Sequence, residues 1–525
     1  MASPSLPSSA RPPLDRSAEV LALLGWALSL ALALVLLRPG LESGPSYSSD
    51  TAIPLLMARA ARVDLFHAYY LGQDRFGAWP FLLARLVGGR NWSPDGLQTV
   101  LIIVSWSAAF PLARLVRASG AAAGMLVAVP LALAGPAEVR THVLDGAQPY
   151  GWQFAMLAWT WLGLRRLLEA RSRPSRWGWG VAAAVTAALA CWVSTSSLPV
   201  LAVIWGVELL RAWLRGLEGW RPWVMAAVPL TVGGVFERQL RRLYHRYANR
   251  TYGQEYRTSV SLDRGHLWDN AGRVLGSLWS GPLPLGGLLL LGFWLAGRWL
   301  VRHARRGRAA WAELPDPAWM AIACGIAALG QLALLIIVAH VRNNDFAARY
   351  FALAHLLLLV GLGALLLHHL AAWLSPRVSR IAGALGVAAA GVALAWAWTH
   401  PSRPREDHAR ALEAARTLAR VAPGTLLMGG YWDVFHLAAL QPLETQAMPL
   451  PDPRHYQRSP FHLVEVGRAR ALVWVRSDGD REPEEPQQRE LHAVRFIRDT
   501  EPLARVPGYT FWRYVRASPS RDSAG

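Results

Sequence analysis

Four short polar segments stand between the long apolar runs of this chain, and they carry the residues whose types suit chemistry. The first reads Ser48-Ser49-Asp50-Thr51-Ala52-Ile53, and the second Tyr69-Tyr70-Leu71-Gly72-Gln73-Asp74-Arg75-Phe76-Gly77. The third holds Glu138, His142 and Asp145. The fourth runs from His340 through Arg342, Asn344 and Asp345 to Arg349-Tyr350. A carboxylate such as Asp50 or Asp74 can accept the proton of an attacking hydroxyl. An arginine such as Arg342 or Arg349 can hold an anionic oxygen through charge-assisted hydrogen bonds. Each residue also has a plainer reading. Asp50 suits the start of a helix over Thr51 to Val63, Asp74 pairs with Arg75 in a loop, and Arg349-Tyr350 makes an interfacial anchor. Neither His340 with Asp345 nor His142 with Asp145 has a third ligand nearby, so no metal is expected, and no cofactor.

The elements that must position these residues are membrane helices. The chain has 525 residues, 53% of them hydrophobic, with 26 tryptophans. Leu21 to Leu37 carries no charge, and similar runs recur over most of the chain; about 20 apolar residues suffice to cross a bilayer. The apolar runs predict about eleven spans, near 19–38, 96–116, 120–136, 150–168, 177–194, 197–214, 222–236, 282–301, 318–340, 350–371 and 380–399. The net charge of +19 comes from 54 arginines and no lysine. In a soluble chain it would suggest nucleic acid; here it reads as basic loops beside anionic headgroups. Cys191 and Cys324 lie inside apolar runs and read as reduced packing or membrane-facing residues. The first apolar run lacks a small-residue cleavage site and reads as an uncleaved helix.

Arginine placement sets the expected orientation. Arg165, Arg166, Arg171, Arg173 and Arg176 share one loop, Arg211, Arg215 and Arg221 a second, and Arg302, Arg305, Arg306 and Arg308 a third. With eleven spans these fall on the N-terminal side, which is therefore cytoplasmic. Residues 1–18 form a cytoplasmic tail and 19–400 the transmembrane module, with a long first outer loop at 40–95. Residues 401–517 form a small extracytoplasmic α/β domain and 518–525 a disordered tail. The first loop holds two short apolar-periodic stretches, Ile53 to Val63 and Gly77 to Val87, expected to lie along the membrane surface. Arg59 and Arg62, one turn apart on the first, would face anionic headgroups or, as the second reading, the substrate. A basic loop, Phe236 to Gly281, carries Arg238, Arg241, Arg242, His245, Arg246 and Arg250. In the tail domain a helix is expected over Arg405 to Val421, strands over Thr425 to Met428 and Ala469 to Val475, and a hairpin over Leu503 to Val515 turning at Pro507-Gly508.

The first loop resembles the first extracytoplasmic loop of the GT-C superfamily of membrane glycosyltransferases, in particular bacterial relatives of the protein O-mannosyltransferases. The likeness rests on Asp50 soon after the first helix and on Tyr70, Gly72, Gln73 and Gly77; Leu71 is an insertion relative to the pattern. Gly430-Tyr431-Trp432-Asp433-Val434-Phe435 resembles a segment of the same relatives' tail domain. The resemblance implies a GT-C-like helical membrane fold and an inverting transfer of a sugar from a polyprenyl-phosphate carrier to a lipid, glycan or protein acceptor in the bacterial inner membrane. It also implies Asp50 as general base with Asp74 as second candidate, and Arg349-Tyr350 at the carrier phosphate. Tyr70, Gln73, Arg75, His142, Asp145 and Arg342 complete the expected substrate-binding set. Two readings without this chemistry at Asp50 stand beside it: a polymerase of lipid-linked glycans, and a transporter or flippase, for which Glu208 within its span is the nearest midplane charge.

Overall fold

The computed structural model describes residues 16–43, 49–59, 65–70, 76–88, 94–116, 119–134, 143–144, 150–170, 172–217, 220–252, 265–279, 286–287, 307–373, 376–399, 406–441, 447–449, 463–478, 485–491 and 494–517. The helices before the tail domain are α1 (Arg16–Ser43), α2 (Ser49–Arg59), α3 (Trp79–Gly88), α4 (Pro94–Trp106), α5 (Ala109–Val116), α6 (Ser119–Leu133), α7 (Tyr150–Glu169), α8 (Arg173–Val193), α9 (Ser197–Leu214) and α10 (Arg221–Tyr252). They continue with α11 (Leu267–Gly276), α12 (Gly307–Ala312), α13 (Asp316–Ile337), α14 (Ala339–Asn343), α15 (Ala352–Trp373) and α16 (Pro376–Thr399).

Ten of the eleven expected segments fall on helices, and 282–301 lies almost wholly outside the described residues. Among the described residues five stretches are long and apolar enough to cross a membrane: Ser17–Leu36, Gly96–Val116, Ser197–Leu214, Asp316–Ile337 and Ala352–Leu370. The stretch at 96–116 is two helices, α4 and α5, broken at Ser107-Ala108. The boundary between α8 and α9 comes from Ser194, whose extended backbone ends α8, followed by a turn through Thr195 and Ser196. At its other end α8 is started by Ser172, whose hydroxyl accepts from the Ser175 amide, with Pro174 in the first turn.

Small residues set how closely the helices pack. A Cβ on Gly361 of α15 would lie 2.6 Å from Cys324 Cβ of α13, so glycine lets these two helices touch. Cys324 and Cys191 are both free and buried, as packing residues should be.

Two of the arginines that set the expected orientation are buried inside the bundle. Arg165 and Arg211 lie inside α7 and α9 and are 1% and 2% exposed. Glu208 accepts from Arg165 Nη2 at 2.6 Å, from Arg211 Nη1 at 3.0 Å and from Trp161 Nε1 at 2.6 Å. Arg165 also donates to the Leu115 carbonyl at the end of α5. Asp316, in the first turn of α13, takes Arg211 at 3.1 Å and Arg215 at 3.3 Å. The last turns of α5, α7 and α9 thus meet the first turn of α13 at one end of the bundle.

The tail domain follows. Helix α17 (Glu406–Val421) leads into a sheet built from β1 (Leu426–Gly429), β2 (Ala447–Pro449), β3 (Ala471–Ser477), β4 (Gln488–Leu491), β5 (Val494–Arg498), β6 (Ala504–Val506) and β7 (Tyr509–Arg516). Its order is β2-β1-β3-β7-β5-β4, with β6 paired to β7. Strand β1 runs parallel to both neighbours, and β3 and β7 pair antiparallel from Ala471↔Val515 to Ser477↔Tyr509. Alternation sorts the two faces: Leu426, Met428, Leu472, Trp474 and Tyr514 share one cluster, while Leu427, Val473, Val475 and Phe511 join the main core. The expected α17, β1, β3 and the hairpin at Pro507-Gly508 are present. Strands β2, β4 and β5 and the helices α18 (Tyr431–Ala439) and α19 (Leu463–Arg468) were not expected.

Candidate functional site

The candidate site lies at the end of the bundle away from the Arg165–Glu208 cluster, where the first loop meets the start of α7 and the end of α8; the segment before α15 follows α13 at that same end. Helix α2 begins at Ser49, so Asp50 sits within its first turn instead of preceding it as a cap. Ala52, Ile53, Leu55, Met57 and Ala58 are all at most 1% exposed, because α2 is packed against α18 of the tail domain and against α3. Arg59 meets the tail domain: its Nη1 donates to the carbonyls of Ala439 and Gln441 at the end of α18.

The second polar segment closes into a loop. Tyr69 bridges Gly77, the Tyr70 amide donates to the Phe76 carbonyl at 2.9 Å, and the Ala78 amide donates to the Ala68 carbonyl at 3.0 Å. Gly77 is required by close approach. Its amide donates to the Trp192 carbonyl at 2.8 Å, and a Cβ there would lie 2.2 Å from that same oxygen. Trp192 Nε1 in turn donates to the Ala68 carbonyl at 2.7 Å. Tyr70 is buried edge-on to Phe76, which meets Tyr150 of α7 at 6.1 Å. Beneath this loop Gln153 Nε2 donates to Ser196 Oγ and Ser197 Oγ, and Gln331 Nε2 donates to the Ser196 carbonyl. This buried polar trio joins α7, α9 and α13. Its signal in the sequence was a glutamine in each of two apolar runs.

The fourth segment forms a corner. Asp345 and Phe346 adopt left-handed backbone, with φ of 48° and 51°, folding α14 back onto the 3-10 turn Ala348–Tyr350. Tyr350 Oη lies 3.0 Å from His340 Nε2, and Arg349 Nη2 donates to Asn344 Oδ1 at 3.2 Å. The Arg349 guanidinium lies 5.2 Å from the Tyr350 ring centre, a cation–π contact that fixes its plane. Arg342 points elsewhere, donating to His266 Nδ1 at 2.5 Å. Arg273 of α11 pairs with Asp345 at 2.5 Å, and Asn270 donates to the Ile336 carbonyl, so α11 braces the same corner. His266 and Arg273 were not singled out for this corner on sequence, since their partners lie far along the chain.

Of the expected site residues, the structure therefore places Asp50 on α2, Tyr70 under the loop, and Arg342, Arg349 and Tyr350 at the corner. Gln73, Asp74, Arg75, His142 and Asp145, with Glu138 and Arg62, lie outside the described residues. Among the described residues no group of three His, Cys, Asp or Glu side chains is placed to hold a metal ion.

In the tail domain His408 of α17 and His436 of α18 stack, with ring centres 5.9 Å apart and planes 17° from parallel. Burial, and then the neighbouring His408 ring, push the His436 imidazole down to about 3; burial also lowers His408. Both rings are neutral near pH 7.

No protein-family model matches the chain, and no curated protein matches it. Solved structures do. ArnT from Cupriavidus metallidurans in the apo state aligns with a TM-score of 0.55 at 12% identity, covering 94% of this chain and 98% of that one. The same protein bound to undecaprenyl phosphate aligns with a TM-score of 0.53 at 14% identity, covering 94% of this chain and 96% of that one. Nearly end to end, then, the chain has the ArnT fold: a helical membrane module with a long first loop, followed by a small α/β domain.

Proposed function

We propose that this chain is an inverting glycosyltransferase of the GT-C type, moving a sugar from a polyprenyl-phosphate carrier to an extracytoplasmic acceptor. The observation that carries the reading is the end-to-end fold likeness to ArnT, a protein whose second structure holds undecaprenyl phosphate. The sequence resemblance of the first loop points the same way independently.

In this reading the acceptor hydroxyl oxygen attacks the anomeric carbon while the bond from that carbon to the carrier phosphate breaks. The hydroxyl proton goes to the Asp50 carboxylate, and the electron pair leaves with the phosphate. A carboxylate in the first turn of a helix is favourably placed for its negative charge. The charge developing on the phosphate is met by Arg349, whose plane is already set by Tyr350 and Asn344. Arg342 adds positive charge at the same corner. Tyr70 supports the loop that carries Gln73, Asp74 and Arg75, and these, with His142 and Asp145, line the substrate. Asp74 is the second candidate base. The tail domain, on this reading extracytoplasmic, covers α2. The arginine-rich end is then cytoplasmic, and the membrane is the bacterial inner membrane.

Transport is less well supported. The one span charge that suggested it, Glu208, is locked by Arg165 and Arg211 at the opposite end from the site. The test is a mass-spectrometric profile of envelope glycans and glycolipids in wild type, deletion and Asp50→Asn strains, with the substituted protein shown at normal abundance. Loss of one sugar in both mutants, with the carrier-linked sugar accumulating, is the expected result. An Asp50→Asn strain matching wild type while the deletion is defective would remove Asp50 as base and favour transport.

A further inference from the structure

The sequence suggested a basic loop after residue 236, but Phe236 to Tyr252 continue α10 as helix. At ~1.5 Å per residue, the 32 residues of α10 exceed the ~30 Å hydrocarbon core and carry it out past the membrane boundary. Its outward face changes character along the way. Val224, Val228, Val232 and Val235 are 53%, 47%, 38% and 51% exposed and suit lipid chains. The same helical face then presents Arg238, Arg242 and Arg246, all exposed. The inward face stays packed: Tyr244 meets Tyr69 edge-on at 5.1 Å, and Glu237 is buried and paired with Arg241 at 2.6 Å. The nearest acid is thus turned away from the outward arginines, which form no ion pair among the described residues.

We infer that the outward face of α10 beyond Val235 is a binding surface for anionic phospholipid headgroups. Height and company argue for lipid over a soluble polyanion. Arg238 stands ~4.5 Å past Val235 along the axis, within a headgroup layer ~5–8 Å thick on each side, and Arg242, ~10 Å past it, stands just above that layer within reach of its charge. Arg246 stands higher, but its charge acts over a Debye length of ~8–10 Å. An aqueous acidic polymer would give no reason for the arginines to continue a stripe of exposed valines. Through the Tyr244–Tyr69 contact the same helix braces the loop at the candidate site, although the lipid surface does not depend on the transferase reading.

The test uses the full chain in nanodiscs of equal phosphatidylglycerol and phosphatidylcholine, with retained lipids counted by native mass spectrometry. Wild type should retain phosphatidylglycerol preferentially. The variant R238Q/R242Q/R246Q should lose that preference, by about fivefold for each arginine within reach of the headgroups, while R416Q/R505Q in the tail domain keeps it. If the triple glutamine variant does not fold, the triple lysine variant should retain the preference, and wild-type preference should fall as salt rises. Equal retention of both lipids by wild type, or a preference unchanged in the glutamine variant, would overturn the inference. So would retention of added polygalacturonate in place of phosphatidylglycerol.

Discussion

Arg59 Nη1 donates to the Ala439 carbonyl oxygen at 3.0 Å, tying the last turn of α2 to the last turn of α18. A second bond, to the Gln441 carbonyl at 3.2 Å, makes the guanidinium a C-terminal cap for the tail-domain helix. The carbonyls at a helix end lack partners within the helix, and a cation there is favoured by the helix dipole. The helix whose first turn carries Asp50 is therefore held at its far end by the tail domain. That domain is a brace on α2, not a separate appendage.

Arg59→Met should loosen this brace without touching the core. Hydrogen bonds from a charged donor contribute about 1.5–3 kcal/mol, so backbone hydrogen exchange in α2 and α18 should accelerate roughly tenfold to a hundredfold. Exchange measured on the full chain in detergent checks this, with α13 as the internal reference. Unchanged protection in both helices would show that apolar packing alone holds the domain.

Gly77→Ala should be more damaging than its size suggests. The added methyl would lie 2.2 Å from the Trp192 carbonyl oxygen, and that oxygen is fixed by its bond to the Gly77 amide. Overpacking of this kind costs about 1–3 kcal/mol, concentrated in the loop from Tyr69 to Gly77. Expected readouts are a lowered unfolding temperature and faster exchange at Tyr70 and Ala78. Gly178→Ala, where nothing lies within 4 Å, serves as the neutral comparison.

What the sequence revealed and what it hid follow from the range of the interactions. Apolar run length is local, so helices fell where expected, and the Pro507-Gly508 turn was legible because Gly508 has a φ of 88°. Strands β2, β4 and β5 were missed because they are only three to five residues long, and β2 depends besides on pairing with β1 some twenty positions away. Arg165 and Arg211 look like loop arginines until Glu208 and Asp316 are brought beside them. Arg59 looked lipid-facing because its acceptors are backbone carbonyls some 380 positions away, which carry no sequence signal. At the site, the Arg349-Tyr350 pair could be read locally, whereas His340 became its partner only through the left-handed turn at Asp345 and Phe346.

Acid should weaken the tail domain before it weakens the helices. His436 is held neutral in the folded domain down to about pH 3, first by burial and then by His408. In the unfolded chain it would take a proton near pH 6.5. Stability is therefore full above about pH 6.5 and declines as pH falls toward 3, by up to ~1.4 kcal/mol per unit for one histidine. His408, also lowered by burial, adds to the slope. Hydrogen exchange of β1 and α18 between pH 7 and 4, corrected for intrinsic rates, should show this loss. His436→Phe should reduce the pH slope, and an unaltered slope would assign the effect to other groups.

The Arg165–Glu208 cluster should behave as a unit and should matter for stability but not for chemistry. Glu208→Leu leaves Arg165 and Arg211 buried, the first with only the Leu115 carbonyl and Asp316 at 3.8 Å to offset it. Removing one partner of a buried pair costs about 3–5 kcal/mol, whereas replacing both with apolar groups is often close to neutral. Arg165→Met combined with Glu208→Leu should therefore be more stable than Glu208→Leu alone, giving a coupling energy of about 2 kcal/mol or more. Arg215→Ala, whose side chain is 32% exposed, should cost about 1 kcal/mol or less. Unfolding in detergent measures all three, and additive single effects would refute the coupling. Because this cluster sits at the end of the bundle opposite Asp50, the paired variant should also leave the envelope glycan profile of the wild type intact. A glycan defect in a stable paired variant would instead place these charges in the working cycle and bring the transport reading forward.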